Sequence, residues 1–277
     1  MKTTEELSSR SYGTHGPLVY VLHGGPAAAG TVRPIATGLA ESFRVIEPFQ
    51  KGSSQLPLTV ATHVADLDRL IRARTDPTRP VIVGHSWGAM LALAYAAACP
   101  DRVRGIVCVG CGTFDTVSRE AMNAIIYQRI DERTRLLLAE LPTRYPDPGD
   151  RLRAEHELLR RAYDYAADEP TIDTCEVPPL DVKAYTETWN DMLRLQNDGT
   201  YPRAFTAIAA PVLMIQGSYD PHPGKMIYEA LKPHIGHIEY VELDRCGHEP
   251  WRERFAKEKF FREMKGWIAD CTAASTA

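Results

Sequence analysis

Short apolar runs bounded by turn residues alternate along the chain with stretches of helical period, the pattern of a mostly parallel sheet flanked by helices. Pro17–Leu22, Phe43–Ile46, Pro80–Val83 and Val103–Val109 read as buried strands in the first part of the chain. Between them, Thr31–Glu41, Thr59–Arg74 and Ala89–Ala98 read as helices. Thr59–Arg74 is amphipathic, with Val64, Leu67 and Ile71 on one face and Asp66, Arg69 and Arg72 on the other. Ala89–Ala98 is apolar nearly all round and is expected to pack under the sheet.

The pattern changes from about Phe114 to Phe205, where charged helices take over at Glu120–Leu141, Arg151–Ala167 and Val182–Gln196, punctuated by prolines. Strands resume at Pro211–Gln216 and His237–Leu243. The helix Glu253–Ala269 closes the chain, with Phe260, Met264, Trp267 and Ile268 on its core face. The expected architecture is α/β. A discontinuous core (1–113 and 206–277) carries an inserted all-helical cap (114–205) over the strand ends, where such sheets bind ligands.

Gly84-His85-Ser86-Trp87-Gly88 lies between a strand and a helix. G-x-S-x-G in that setting presents a serine on a tight, strained turn, with glycines where a Cβ would collide with neighbouring backbone. A serine hydroxyl needs a base to take its proton, and the base needs a carboxylate to fix its tautomer. Asp220, in the loop past Val212–Ile215 and held by Pro221 and Pro223, is the candidate acid; Asp115 is the reserve, and the alternative for Asp220 is a turn aspartate before proline. His248, in a loop between the last strand and the closing helix, is the candidate base. His222 comes too early for the order Ser, Asp, His, and His234 and His237 flank a strand start. Oxyanion donors are expected at the backbone N–H groups of Trp87 and Gly25, because Pro26 has no N–H. The glycine turn at 24–25 matches neither phosphate-binding pattern, G-x-x-x-x-G-K-[ST] or G-x-G-x-x-G.

Together, His23-Gly24-Gly25-Pro26, Gly84-His85-Ser86-Trp87-Gly88, Asp220 and Gly247-His248 resemble the α/β-hydrolase superfamily with a helical cap. HGGP and the tryptophan after the serine are most similar to the proline iminopeptidase branch and its esterase-like relatives. The chain departs from that branch at Ala27, where HGGPG is usual, and at His85, where glycine is usual. It also carries Pro48-Phe49-Gln50-Lys51-Gly52-Ser53-Ser54 in place of D-Q-R-G-x-G. Only 22 residues precede His23, too few for the full pair of antiparallel strands that usually opens this fold. The resemblance implies an acyl-enzyme route: Ser86 as nucleophile, His248 as base then acid, and Asp220 orienting it. Aspartate-nucleophile chemistry is disfavoured because a serine stands at position 86.

With 277 residues, 44% hydrophobic and 25% charged, the chain suits one large α/β domain with an insertion. A net charge of −4 leaves no footprint for nucleic acid or an anionic membrane. No apolar run approaches the roughly 20 residues that cross a bilayer, and Met1–Glu6 lacks the apolar start of a secretory signal. Six scattered cysteines (99, 108, 111, 175, 246 and 271) read as free thiols in a reducing cytoplasm. Cys108-x-x-Cys111 has no second pair at zinc spacing, so neither metal nor cofactor is expected.

The expected function is hydrolysis of a small-molecule carboxylic ester or amide. The alternatives are a proline iminopeptidase-like aminopeptidase and a slow-turnover ligand receptor on the same fold. An aminopeptidase needs cap carboxylates for the α-amine. The cap acids (Glu132, Glu140, Glu155, Glu157, Asp164, Asp168 and Glu169) are interleaved with arginines, as on a solvated helix face. Tyr163, Tyr165 and Trp189 are candidates either for lining a pocket or for packing the cap on the core.

Overall fold

The computed structural model describes residues 7–74, 76, 78–169 and 177–273; Cys175 and Pro170 lie outside the described residues. Seven strands form one sheet: β1 Ser9–Tyr12, β2 Leu18–Leu22, β3 Arg44–Pro48, β4 Val81–His85, β5 Gly105–Val109, β6 Val212–Gly217 and β7 Ile238–Leu243. Their order is β1-β3-β2-β4-β5-β6-β7; β1 pairs antiparallel with β3 and every other pair is parallel. Among the described residues a single antiparallel strand therefore precedes the parallel run. Its sequence, Ser-Arg-Ser-Tyr, is half-exposed and has no apolar period to announce it.

Alternation along the strands divides the core between two layers. Leu18, Tyr20 and Leu22 of β2, with Ile82 of β4 and Ile106 of β5, face α2 (Val60–Ala73), α3 (Trp87–Ala98) and α8 (Gly224–Leu231). Val19, Val21, Val81, Val83 and Val107 face the opposite way, onto α1 (Arg33–Leu39) and α9 (Lys257–Ala273). α3 is buried on nearly every side, as its uniform apolarity requires. Asp66 departs from the expected outward face of α2: it is buried, in ion pairs with Arg69 at 2.7 Å and Lys51 at 3.8 Å.

Between β5 and β6 the described residues hold no strand beyond an isolated bridge at Ala167, and four helices fill the segment. They are α4 Thr116–Arg129, α5 Glu132–Arg144, α6 Pro148–Tyr163 and α7 Val182–Asn197. The single helix expected over Glu120–Leu141 is thus two. Asp131 breaks it by accepting the Thr134 N–H at 2.8 Å and capping α5. The helix expected over Arg151–Ala167 starts and stops earlier, on an Asp147 cap and the short Pro148 start. The closing helix begins at Lys257, because Glu253 is engaged elsewhere.

α7 is held to the segment before α2 through its acids. Asp181 accepts the Ser53 N–H at 2.7 Å, Glu187 that of Leu58 at 2.9 Å, and Asp191 that of Val60 at 2.8 Å. Three carboxylates that could have faced a ligand instead satisfy unpaired main-chain donors. His63, on α2, bonds Thr188 of α7 at 2.9 Å, and burial pushes its pKa down to about 4.

Candidate active site

β2 and β4 are adjacent, but the chain leaves them in opposite directions across the sheet, so the loops at their carboxyl ends diverge and open a crevice. Leu22 pairs with Gly84, which brings the His23–Pro26 loop and the Ser86 turn side by side. Ser86 has φ 53° and ψ −118°, the strained conformation expected for an exposed apical serine. Its N–H donates to Val109 O at 2.9 Å, and its carbonyl accepts N–H groups from the first turn of α3, those of Ala89 at 3.0 Å and Met90 at 3.3 Å. A Cβ at Gly84 would stand 2.2 Å from Gly88 O. One at Gly88 would stand 2.3 Å from Leu22 O. The turn is therefore closed by backbone pressed on backbone.

Asp220 follows β6, and His248 follows β7. His248 Nδ1 donates to Asp220 Oδ2 at 2.7 Å. Gln216 Nε2 donates to the same oxygen at 2.7 Å, while Oδ1 accepts both the main-chain N–H and Nδ1–H of His222 at 3.0 Å. Gln216 cannot reverse its amide cheaply, since its Oε1 accepts the Cys111 N–H at 3.1 Å. Burial alone would raise the pKa of Asp220, but the two imidazoles beside it pull it well below the usual carboxylate range. Burial opposes a charged His248, yet Asp220 outweighs it and leaves the imidazole pKa raised. Asp220 is therefore held ionised beside the two imidazoles.

The His248 loop has its own support. Glu253 is fully buried and accepts the N–H groups of Gly247 at 2.9 Å, Tyr165 at 2.8 Å and Ala166 at 2.7 Å. His248 N–H donates to Tyr163 O at 3.0 Å. One carboxylate thus clamps the loop after β7 against the segment following α6. The helical period that placed Glu253 in the closing helix gave no hint of this role. Its partners lie 6, 87 and 88 positions away.

Gly25, with φ 107°, borders the cavity. Trp87 supplies the first N–H of α3, one of the donors that a helix leaves unpaired. Gln50 joins the two loops: its side chain donates to His23 O at 2.9 Å and accepts Trp87 Nε1–H at 2.8 Å. Its main-chain N–H donates to His23 Nε2 at 3.1 Å, so the His23 proton sits on Nδ1 and goes to Gly24 O at 3.0 Å. Burial pushes His23 down to about 4, which keeps that tautomer neutral. Ala27, beyond Pro26, has φ 73°, a left-handed conformation that costs a non-glycine residue about 1 kcal/mol.

His85 lies under His248. It donates Nε2–H to His248 O at 3.1 Å, and burial holds its pKa well down. Neutral buried histidines make stability sensitive to acid. With folded pKa values near 4 against about 6.5 unfolded, His23 and His63 each leave the unfolded state binding more protons between those limits. Stability is complete above 6.5 and falls with pH, by up to about 2 kcal/mol for each ring at pH 5. His248 acts with the opposite sign but is one ring against two. Urea unfolding free energies at pH 7.5 and 5 should therefore differ by several kcal/mol; equal values would mean that these rings are not held neutral.

Ser86, Gly24, Gly25, His222 and His248 border one cavity of about 770 Å³. Side chains of α6 and α7 help to enclose it, Tyr163, Tyr185 and Trp189 among them. Tyr165 is exposed and packs instead on Tyr219 and Phe255. Glu157, Asp164 and Glu249 reach the cavity, each facing an arginine: Glu157 lies 3.4 Å from Arg160, Asp164 lies 3.3 Å from Arg252, and Glu249 pairs with Arg252 too. Asp115, the reserve acid, caps α4 through Ser118 N–H at 2.7 Å and takes no part. Asp220, His222 and His248 form a metal-ligand-type cluster among the described residues, but both Nδ1 atoms already bond the carboxylate.

Known proteins are similar to this chain in sequence and in fold. A family model described as alpha/beta hydrolase fold matches residues 17–251. Proline iminopeptidase of Lactobacillus crispatus (strain ST1) is 26% identical over 274 residues, covering 91% of this chain and 89% of that protein. Among solved structures, VinJ superposes with a TM-score of 0.69 at 20% identity, over 95% of this chain and 94% of its own. A thermophilic esterase from Thermogutta terrifontis superposes at 0.62 and 20% identity, over 96% and 93% respectively. The chain belongs to the α/β hydrolase fold family and is a hydrolase enzyme.

Proposed function

We propose that the chain is a serine hydrolase of small carboxylic esters or amides that works through an acyl-enzyme. The observation that carries this reading is the strained Ser86 turn opening into the same cavity as a His248 already hydrogen-bonded to an ionised Asp220. Ser86 Oγ attacks the substrate carbonyl while His248 Nε2 takes its proton, and Asp220 stabilises the imidazolium that forms. The developing oxyanion is met by the N–H groups of Gly25 and Trp87, each such donor being worth about 3–4 kcal/mol of barrier. His248 then protonates the leaving group, and a water activated by the same ring releases the acid. Residues 114–205 act as a lid on a core of 1–113 and 206–277, and set which acyl group fits. The five described cysteines are unpaired, which supports a reducing, cytoplasmic location.

A second reading, an N-terminal aminopeptidase, is favoured by the Lactobacillus relative. Its α-amine would have to draw Glu157, Asp164 or Glu249 away from Arg160 or Arg252, which supports the preference for uncharged esters and amides. Turnover of p-nitrophenyl acetate and butyrate beside proline p-nitroanilide, by the parent chain and by Ser86→Ala, separates the readings. We expect ester release by the parent only. Release from the free-amine proline substrate alone would support the aminopeptidase, and undiminished turnover by Ser86→Ala would remove both.

A further inference from the structure

His222, whose side chain is 12% exposed, is a titratable group on the cavity wall that the proposed chemistry does not use. It shares Asp220 with His248, one imidazole on each carboxylate oxygen, at 3.0 Å and 2.7 Å. The two rings are stacked, with centroids 4.7 Å apart and planes 17° from parallel, and both border the cavity. Resting on the serine-hydrolase reading, we propose that His222 is a positioning residue that anchors the second oxygen of Asp220 and thereby sets the orientation and basicity of His248.

Donors on one oxygen only would leave the carboxylate free to swing about its terminal torsion; the Nδ1–H and main-chain N–H of His222 on Oδ1 hold its plane where Oδ2 meets His248. A donated N–H on Oδ1 also disperses the anionic charge, so that Asp220 pulls less strongly on the His248 proton. The device needs an uncharged His222, because a cation stacked on His248 would oppose the imidazolium formed during attack. Burial and the neighbouring His248 hold His222 below its ordinary pKa, against the pull of Asp220. The other groups that bear on the trio are Tyr163, 5.9 Å from the His222 ring and 5.4 Å from that of His248, and His85, 4.7 Å from His248. Asp164 and Glu249 raise the His248 pKa from the cap side and its own loop. Arg129, on α4, lies close enough to Asp220 to feel its charge.

His222→Phe keeps a stacked ring and removes the donor; His222→Asn puts an amide N–H near the lost Nδ1. With p-nitrophenyl butyrate, the Phe variant should lose about tenfold in kcat with KM within about twofold, as expected for an interaction strengthened in the transition state. The acidic limb of its kcat/KM profile should move up by about half a pH unit or more. The Asn variant should return to within about threefold of the parent on the same measure. If the Phe variant does not accumulate, His222→Leu makes the same comparison. A readout free of turnover is the imidazole NMR titration of His248 in a Ser86→Ala background, where His222→Phe should raise its pKa. An unchanged pH profile and His248 titration, or an Asn variant as impaired as Phe, would overturn the proposal. Should the parent chain hydrolyse no ester, the serine-hydrolase reading fails separately, and the His248 titration still decides whether His222 acts on it.

Discussion

Asp220→Asn is expected to lower kcat/KM by about 10³–10⁴-fold while the protein still folds. The reason lies in the four donors that converge on this side chain. Oδ2 receives N–H groups from His248 and Gln216, and Oδ1 receives two from His222. An amide has only one oxygen, so whichever way the substituted side chain turned, its NH₂ would face two donors. The main-chain N–H of His222 cannot reorient, and Gln216 is pinned by Cys111. The ring that gives way is His248, which would move its proton to Nε2, where a base must have a lone pair. Donor facing donor should also cost about 1–3 kcal/mol of stability, visible in the urea midpoint. A variant within tenfold of the parent would mean that Asp220 does not set the tautomer of His248.

Gly88→Ala should have the largest effect on folding. Its Cβ would meet Leu22 O at 2.3 Å and His23 O at 2.7 Å, both main chain at the end of β2. Those atoms cannot retreat without breaking the Leu22–Gly84 pairing and displacing the Gly24–Gly25 loop. A loss of at least about 3 kcal/mol is expected, or a fall in Tm of roughly 6–12 °C for a chain of this size, if soluble protein is obtained at all. Gly266→Ala is the internal control. It lies within α9 with nothing within 4 Å of the added methyl, so it should be neutral or stabilising by up to about 1 kcal/mol. If the two variants melt alike, close backbone contact is not what demands glycine at position 88.

What the sequence makes legible here follows from how local the signal is. β2, β4, β5 and β6 are continuous apolar runs buried on both faces, so composition alone marks them. The strand-turn-helix setting of Ser86 is equally local. β1 escapes because an edge strand in contact with solvent has no reason to be apolar, and α8 because Pro221 and Pro223 mask its start. The break before α5 turns on the side chain of Asp131, which charge periodicity reads as one more surface acid. Non-local bonds are harder still. Glu253 bridges the His248 loop and the segment after Tyr163, and Gln50 ties His23 to Trp87; only the folded chain brings these partners together. His222 is the instructive case, because chain order sets it apart from the expected base position and says nothing about which oxygen of Asp220 it holds.

The pH behaviour follows from the same contacts. A base whose pKa is raised by a neighbouring carboxylate loses activity on the acid side earlier than a free imidazole would, so the acidic limb of kcat/KM should fall above about 6.5. Acid also erodes the fold through His23 and His63, but over a lower range. The activity limb and the unfolding limb should therefore be separable.

Covalent capture at Ser86 is the most direct test. The chain is incubated with a fluorophosphonate, digested, and the adduct located by tandem mass spectrometry, with Asp220→Asn run in parallel. One phosphonylated site is expected, on the hydroxyl at position 86, formed far more slowly in the variant. An adduct at any other residue, or labelling of Ser86 at the same rate without the carboxylate at 220, would contradict it.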